Sequence, residues 1–208
     1  MKRRPLWKAP KKARPEDRTD SIGFYASKEG DSHREKNALR SIQRKITARA
    51  IGLLADEPPA RMLDAGCGSG FSSEVAKETG FEVFGFDADR KMVDAANAKG
   101  IDARIGNFTR ISFCDSTFDC AISISALQWL GANKGPKQAF GEYHKAAKEF
   151  WRVLKPKGRA VIQFYPQNED EAMLAGKAFR KAGFAVRIQI DSADNPKKRK
   201  VFLVLSKV

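Results

Sequence analysis

At 208 residues, with 39 Lys and Arg against 25 Asp and Glu, the chain carries a formal charge of +14. A hydrophobic content of 42% with 10% aromatics excludes a wholly disordered polymer and is enough for one domain with a substantial core. No apolar run reaches the roughly 18 residues needed to span a bilayer. Nothing apolar follows Met1-Lys2-Arg3-Arg4 to make a secretory signal, so a cytoplasmic protein, nuclear in a eukaryotic cell, is expected, with no membrane partner. Cys67, Cys114, Cys120, His33 and His144 form no CxxC pair and no metal-ligand spacing, which argues against a zinc site or a disulfide framework within this chain. The excess of positive charge favours an acidic partner, of which nucleic acid is the commonest.

Residues 1–18 hold eight Lys or Arg and two acids. Residues 1–20 therefore read as a flexible basic arm, either a solvated tail or a segment that binds RNA phosphates without sequence preference. The folded domain is expected over 21–208. From about Glu35, Leu39, Ile42, Ile46, Ala50, Leu53 and Leu54 recur at helical spacing until Pro58-Pro59. Strands follow at 61–64 and 81–86, with helices at 70–79 and 89–99, the second closed by Gly100. Ile101–Ile105 reads as a short strand, Phe118–Ile124 as a buried one, and 136–154 as a helix ending before Pro156. A fifth strand (159–164), a helix (169–182) and two strands without a helix between them (184–190 and 200–206) complete the chain. This alternation predicts an α/β fold with a Rossmann-like, seven-stranded sheet, mostly parallel, closed by a C-terminal antiparallel hairpin and covered by helices on both faces. It is the layout of class I S-adenosylmethionine-dependent methyltransferases.

The candidate cofactor site begins at Leu63-Asp64-Ala65-Gly66-Cys67-Gly68-Ser69-Gly70, where the first strand turns into a helix. Its glycines bring bare backbone against a ligand. Asp87, 23 residues after Asp64, ends the second strand, where a carboxylate accepts both hydroxyls of a ribose. The third glycine comes one residue too early for a pyrophosphate fingerprint, so a dinucleotide is disfavoured. S-adenosylmethionine has no phosphate, and Asp64 at the head of the turn suits its ammonium. Asn107-Phe108 after the third strand suits adenine, between an amide and an apolar face. Cys67, Ala88 and Ser123 complete this set, and Tyr25 with Gln43 is expected to close over the methionine end. Lys45 is either part of that closure or a solvated helix charge.

After the fourth strand comes Ser123-Ile124-Ser125-Ala126-Leu127-Gln128-Trp129-Leu130. It lacks the Asn/Asp-Pro-Pro-aromatic tetrad of adenine-N6 chemistry, and no paired general base is apparent. A nucleophile with a free lone pair, such as guanine N7, fits. Here the sequence resembles the small-subunit ribosomal RNA guanine-N7 methyltransferases, from about Phe24 to Ser206. The resemblance rests on Phe24-Tyr25, Ile42-Gln43-Arg44-Lys45, the glycine loop, Ile122–Leu130, Gln163-Phe164-Tyr165-Pro166 with Asn168, and Asn195-Pro196-Lys197-Lys198. The chain departs from the family at Asn107-Phe108, His33 and Ala38, and in carrying its basic run at the N-terminal end.

The resemblance implies methylation of a guanine in the RNA of the small ribosomal subunit; the alternatives are a small-molecule methyltransferase or a non-catalytic ribosome assembly factor on the same fold. It also implies a small zinc-containing activator protein, for which the edge strand 101–105 is the natural dock. Trp129 and Tyr165, at the carboxyl edge of the sheet, are the candidates to stack the target base, with Gln128 on its edge. The alternatives are a core role for Trp129 and, for Gln128 and Gln163, satisfaction of backbone groups.

Overall fold

The computed structural model describes residues 37–195 and 198–208. The basic arm, Tyr25 and His33, with Pro196 and Lys197 of the hairpin loop, lie outside the described residues. In chain order the elements are α1 (Asn37–Leu54), β1 (Arg61–Ala65), α2 (Phe71–Glu78), β2 (Glu82–Asp87), α3 (Arg90–Asn97), β3 (Asp102–Ile105), β4 (Phe118–Ile124), α4 (Gln128–Gly131), α5 (Pro136–Val153), β5 (Leu154–Phe164), α6 (Glu169–Lys181), β6 (Ala185–Asp191) and β7 (Lys200–Ser206). The strands form one sheet in the order β3-β2-β1-β4-β5-β7-β6. β7 is antiparallel to both neighbours and every other pairing is parallel. This is the expected doubly wound sheet with its closing hairpin, and β3 is its edge.

Successive strand residues face opposite sides, and the core divides accordingly. Met62, Cys120, Ile122, Val161 and Phe202 pack with Ile46, Ala50 and Leu54 of α1. Leu63, Ala121, Ile162 and Leu203 pack with Phe150 of α5 and Phe179 of α6. Burial at four-residue spacing along α1 is what makes that helix, with Arg49 gripping Asp191 at the end of β6 (Nε to Oδ2, 2.9 Å).

One boundary differs from the sequence reading. α5 stops at Val153 and Leu154 already pairs with Phe118, so β5 begins five residues earlier than expected. The register shifts before Cys120 meets Arg159. Pro156 and the left-handed Lys157 (φ +65°) make an irregular strand start that resembles a loop in sequence. Between β3 and β4 the segment 106–117 is pinned by α5. Arg152 donates to the carbonyls of Ile111 (2.9 Å) and Phe113 (2.8 Å), and Glu149 Oε2 accepts the Ile111 N–H (2.7 Å).

Candidate active site

Strand order reverses between β1 and β4, and in open sheets a crevice forms outside the carboxyl ends of the strands at that point. A cleft of about 340 Å³ lies there. Its walls are the loop Gly66–Ser69 after β1, Asp87–Asp89 after β2, Gly106–Phe108 after β3, and Ser125, Ala126, Trp129 and Leu130 after β4. Arg40 and Gln43 reach it from α1.

The glycine loop is held down by two amides, with Gly66 and Cys67 N–H both donating to the Phe86 carbonyl (2.9 and 3.0 Å). Gly66 has φ +72°, and a Cβ there would come 2.7 Å from Cβ of Ala126. Gly68 has φ +52° with open space where its side chain would be, so its bare backbone can lie against a ligand. Its N–H donates to Asp87 Oδ2 (2.9 Å), and the Asp89 N–H donates to Oδ1 (3.0 Å). Burial pushes the Asp87 carboxyl above its ordinary range, and these backbone bonds pull it back. Cys67 packs over Gly85, where a Cβ would approach its sulfur to 2.8 Å, and burial pushes its thiol far up.

Asp64 is fully buried behind this loop. Its Oδ2 accepts from the hydroxyls of Ser72 (2.6 Å) and Ser73 (2.7 Å), while Oδ1 has no partner among the described residues. Burial raises its pKa to about 6, against the pull of the two serines and with a further push from Asp87. At the β3 end, Asn107 Oδ1 accepts from the N–H (2.9 Å) and hydroxyl (2.8 Å) of Thr109, which leaves its amide nitrogen as the group to offer a ligand. Phe108 stacks on Phe150 (6.2 Å between centroids, 23°) and meets Phe86 edge-on (5.5 Å, 79°), so it is core and wall at once.

Ser125, at the end of β4, has φ +57°, a left-handed conformation that costs a non-glycine residue of order 1–3 kcal/mol. Gln163 and Gln128 bond it from two sides, with Ser125 Oγ donating to Gln163 Oε1 (2.8 Å) and Gln128 Nε2 donating to the Ser125 carbonyl (2.7 Å). Phe164 is fully buried, and Tyr165 is half-buried with the Lys200 ammonium 5.6 Å from its ring centroid.

A family model for the methyltransferase domain matches residues 63–162. The 18S rRNA guanine-N7 methyltransferase of Schizosaccharomyces pombe is 33% identical over 93% of this chain and 74% of its own length. The chain belongs to the 18S rRNA guanine-N7 methyltransferase family. The corresponding enzyme of Saccharomyces cerevisiae is 33% identical, over 93% of this chain and 72% of that one. Among solved structures, a Haloferax volcanii methyltransferase in complex with the Trm112 methyltransferase activator shares the fold. Its TM-score is 0.66 at 18% identity, over 91% of this chain and 98% of that one.

In this methyltransferase the cleft gathers many of the residues singled out in sequence: Gln43, Gly66, Cys67, Gly68, Asp87, Ala88, Asn107, Phe108 and Trp129 all line it. It does not gather Asp64, Ser123, Gln128 or Tyr165 onto its wall. Asp64 reaches the cleft only through Ser72, and Gln128 turns its amide to backbone. Ser123 is fully buried with its hydroxyl unpartnered among the described residues. The sequence reading did not single out Arg40, Ser125 or Ser72. For Ser72 a signal existed: two serines in the first turn of the helix that follows the acid Asp64. For Ser125 none did, because a left-handed serine looks like any other.

Proposed function

We propose that this protein transfers the methyl group of S-adenosylmethionine to N7 of a guanine in small-subunit ribosomal RNA. The observation that carries the reading is Asp87 beside the bare backbone of Gly68 at the switch point of the sheet. A carboxylate offers about four acceptor sites. Backbone donors use two of those on Asp87, which leaves one on each oxygen for the two hydroxyls of a ribose. Asn107 and Phe108 hold adenine, and Gln43 covers the methionine end. Asp64 places negative charge behind Ser72, under the position of the ammonium.

When bound, the cofactor supplies a sulfonium methyl that is electrophilic without acid catalysis. The chain's own work is to bind, orient and exclude water. Guanine N7 has a free lone pair, so no side chain has to remove a proton. That agrees with a cleft whose acids, Asp87 and Asp89, stand on the ribose wall. Trp129 stacks the unstacked base, an interaction worth about 1–3 kcal/mol.

A zinc-containing activator docking on β3 belongs to the same reading. Asp102 and Arg104 neutralise each other at 3.4 Å and Ile105 is 43% exposed, so the edge is only partly protected by charge. Work on small-subunit RNA places the enzyme in the nucleus or the cytoplasm. The test is to incubate purified small ribosomal subunits with the protein, the activator and labelled S-adenosylmethionine, then cleave the RNA at N7-methylguanosine with borohydride and aniline. Cleavage at one guanosine is expected. Label on a small molecule, or on no RNA, would refute the reading.

A further inference from the structure

Two glutamines that the sheet and α4 provide converge on one residue of the cleft. Ser125 is in the left-handed region (φ +57°), where a residue with a side chain stays only if its surroundings hold it. Its N–H donates to the Gln163 carbonyl (3.0 Å), its hydroxyl to Gln163 Oε1 (2.8 Å), and its carbonyl accepts from Gln128 Nε2 (2.7 Å). Gln163 is fully buried and its Nε2 donates to the Phe164 carbonyl (3.1 Å), so the amide is fixed at both ends. From Ser125 the chain passes directly into α4. There the Trp129 N–H donates to the Ala126 carbonyl (3.2 Å), and Trp129 lines the cleft. Hydrogen bonds and the short chain segment from Ser125 to Trp129 thus connect the middle of the sheet to the aromatic wall. An apolar side chain of the same size would fill the space of Gln163 without the cost of burying an amide. What the amide adds is the bond to Ser125.

We infer that Gln163 is a positioning residue for methyl transfer: by locking the left-handed turn at Ser125 it sets where Trp129 stands in the cleft. This rests on the reading that the target base stacks on Trp129. Misplacing that base by a fraction of an ångström lowers the rate while the cofactor stays held at Gly68 and Asp87.

The test uses Gln163→Met, which keeps the volume and removes the acceptor, and Ser125→Ala, which removes the donor from the cleft side. Each should lower kcat on small ribosomal subunits by about tenfold to a hundredfold. The double variant should be no worse than the poorer single one, because both changes remove the same bond. Calorimetric affinity for S-adenosylmethionine should stay within about threefold, the signature of an effect on the reaction rather than on cofactor binding. Amide exchange should quicken at 126–131 and not elsewhere. A wild-type kcat in either variant would overturn the inference. So would a parallel fall in kcat, cofactor affinity and melting temperature in Ser125→Ala. If Gln163→Met does not fold, Ser125→Ala alone decides, by the same criteria. If the wild-type protein leaves the subunits unmethylated, it is the substrate reading that fails. Amide exchange then judges the positioning role, with unchanged exchange at 126–131 counting against it.

Discussion

Replacing Asp87 with Ala removes a carboxylate whose two oxygens each hold one backbone N–H, from Gly68 and Asp89. Each oxygen then has one acceptor site left for a ribose hydroxyl. Hydrogen bonds to a charged group are worth about 1.5–3 kcal/mol each, part of which water recovers, so the loss on binding is roughly 2–4 kcal/mol. That corresponds to a Kd about thirtyfold to a thousandfold weaker. Asp87→Asn keeps the volume but turns an NH2 toward one of two backbone donors, so it should bind poorly as well. Isothermal titration with S-adenosylmethionine measures the change, and thermal unfolding shows that the fold survives. Burial already holds the Asp87 carboxyl above its ordinary range, so removing the charge should cost the apo fold little. An Asp87→Ala variant that melts normally and binds within about threefold of the wild type would refute the argument, since even one lost charge-assisted bond exceeds that.

Asp64, with its pKa raised to about 6 in the fold, binds its proton more tightly folded than unfolded, where about 3.9 is normal. Its contribution to stability is therefore full below about pH 4 and is lost as pH rises to 6, by about 3 kcal/mol at most. Urea unfolding of the wild type and Asp64→Asn across pH 4–7 should show that difference; parallel curves would refute it. Trp129→Ala should slow methyl transfer at least about tenfold while cofactor affinity holds within about twofold, as expected for lost base stacking. Loss of the cofactor, read by the same titration, would return Trp129 to the core. Gly131→Ala would drive a methyl group into the Tyr143 hydroxyl and against Glu171 Oε1 (3.0 Å), and should destabilise the protein by about 1–3 kcal/mol in urea, as overpacking does. Ile105→Lys should abolish co-purification with the activator and leave the melting temperature of the chain alone unchanged. Retained co-purification would move the dock away from β3.

The alternation of apolar strands and helices made the sheet and its closing hairpin legible, because a half-buried helix and a buried strand leave different periods in the sequence. The start of β5 was not legible. Lys155-Pro156-Lys157-Gly158 looks like a turn, and only pairing with β4 across a bulge makes it strand. At the site, Gly66, Gly68 and Asp87 were readable because a turn, a bare backbone and a carboxylate at a strand end leave few residue choices. Asp64 was readable as important but not as buried: its position behind Ser72 and Ser73 depends on how α2 docks. The resemblance brought out Gln128, Gln163 and Asn168 as motif residues, with the two glutamines read either as contacts to the guanine edge or as partners of backbone groups. In three dimensions Gln128 and Gln163 brace Ser125, and Asn168 caps α6 by accepting the Glu171 N–H (2.9 Å). A motif records which residues are needed together, and here part of the need is to hold a turn.

Methylation of a guanine N7 in small-subunit ribosomal RNA by this chain is tested most directly in the cell. Total RNA from cells with and without the protein is reduced, cleaved with aniline and mapped by primer extension. One stop in the small-subunit RNA should disappear when the protein is removed, return with the wild-type chain, and not return with Asp87→Ala. An identical pattern of stops with and without the protein would contradict it.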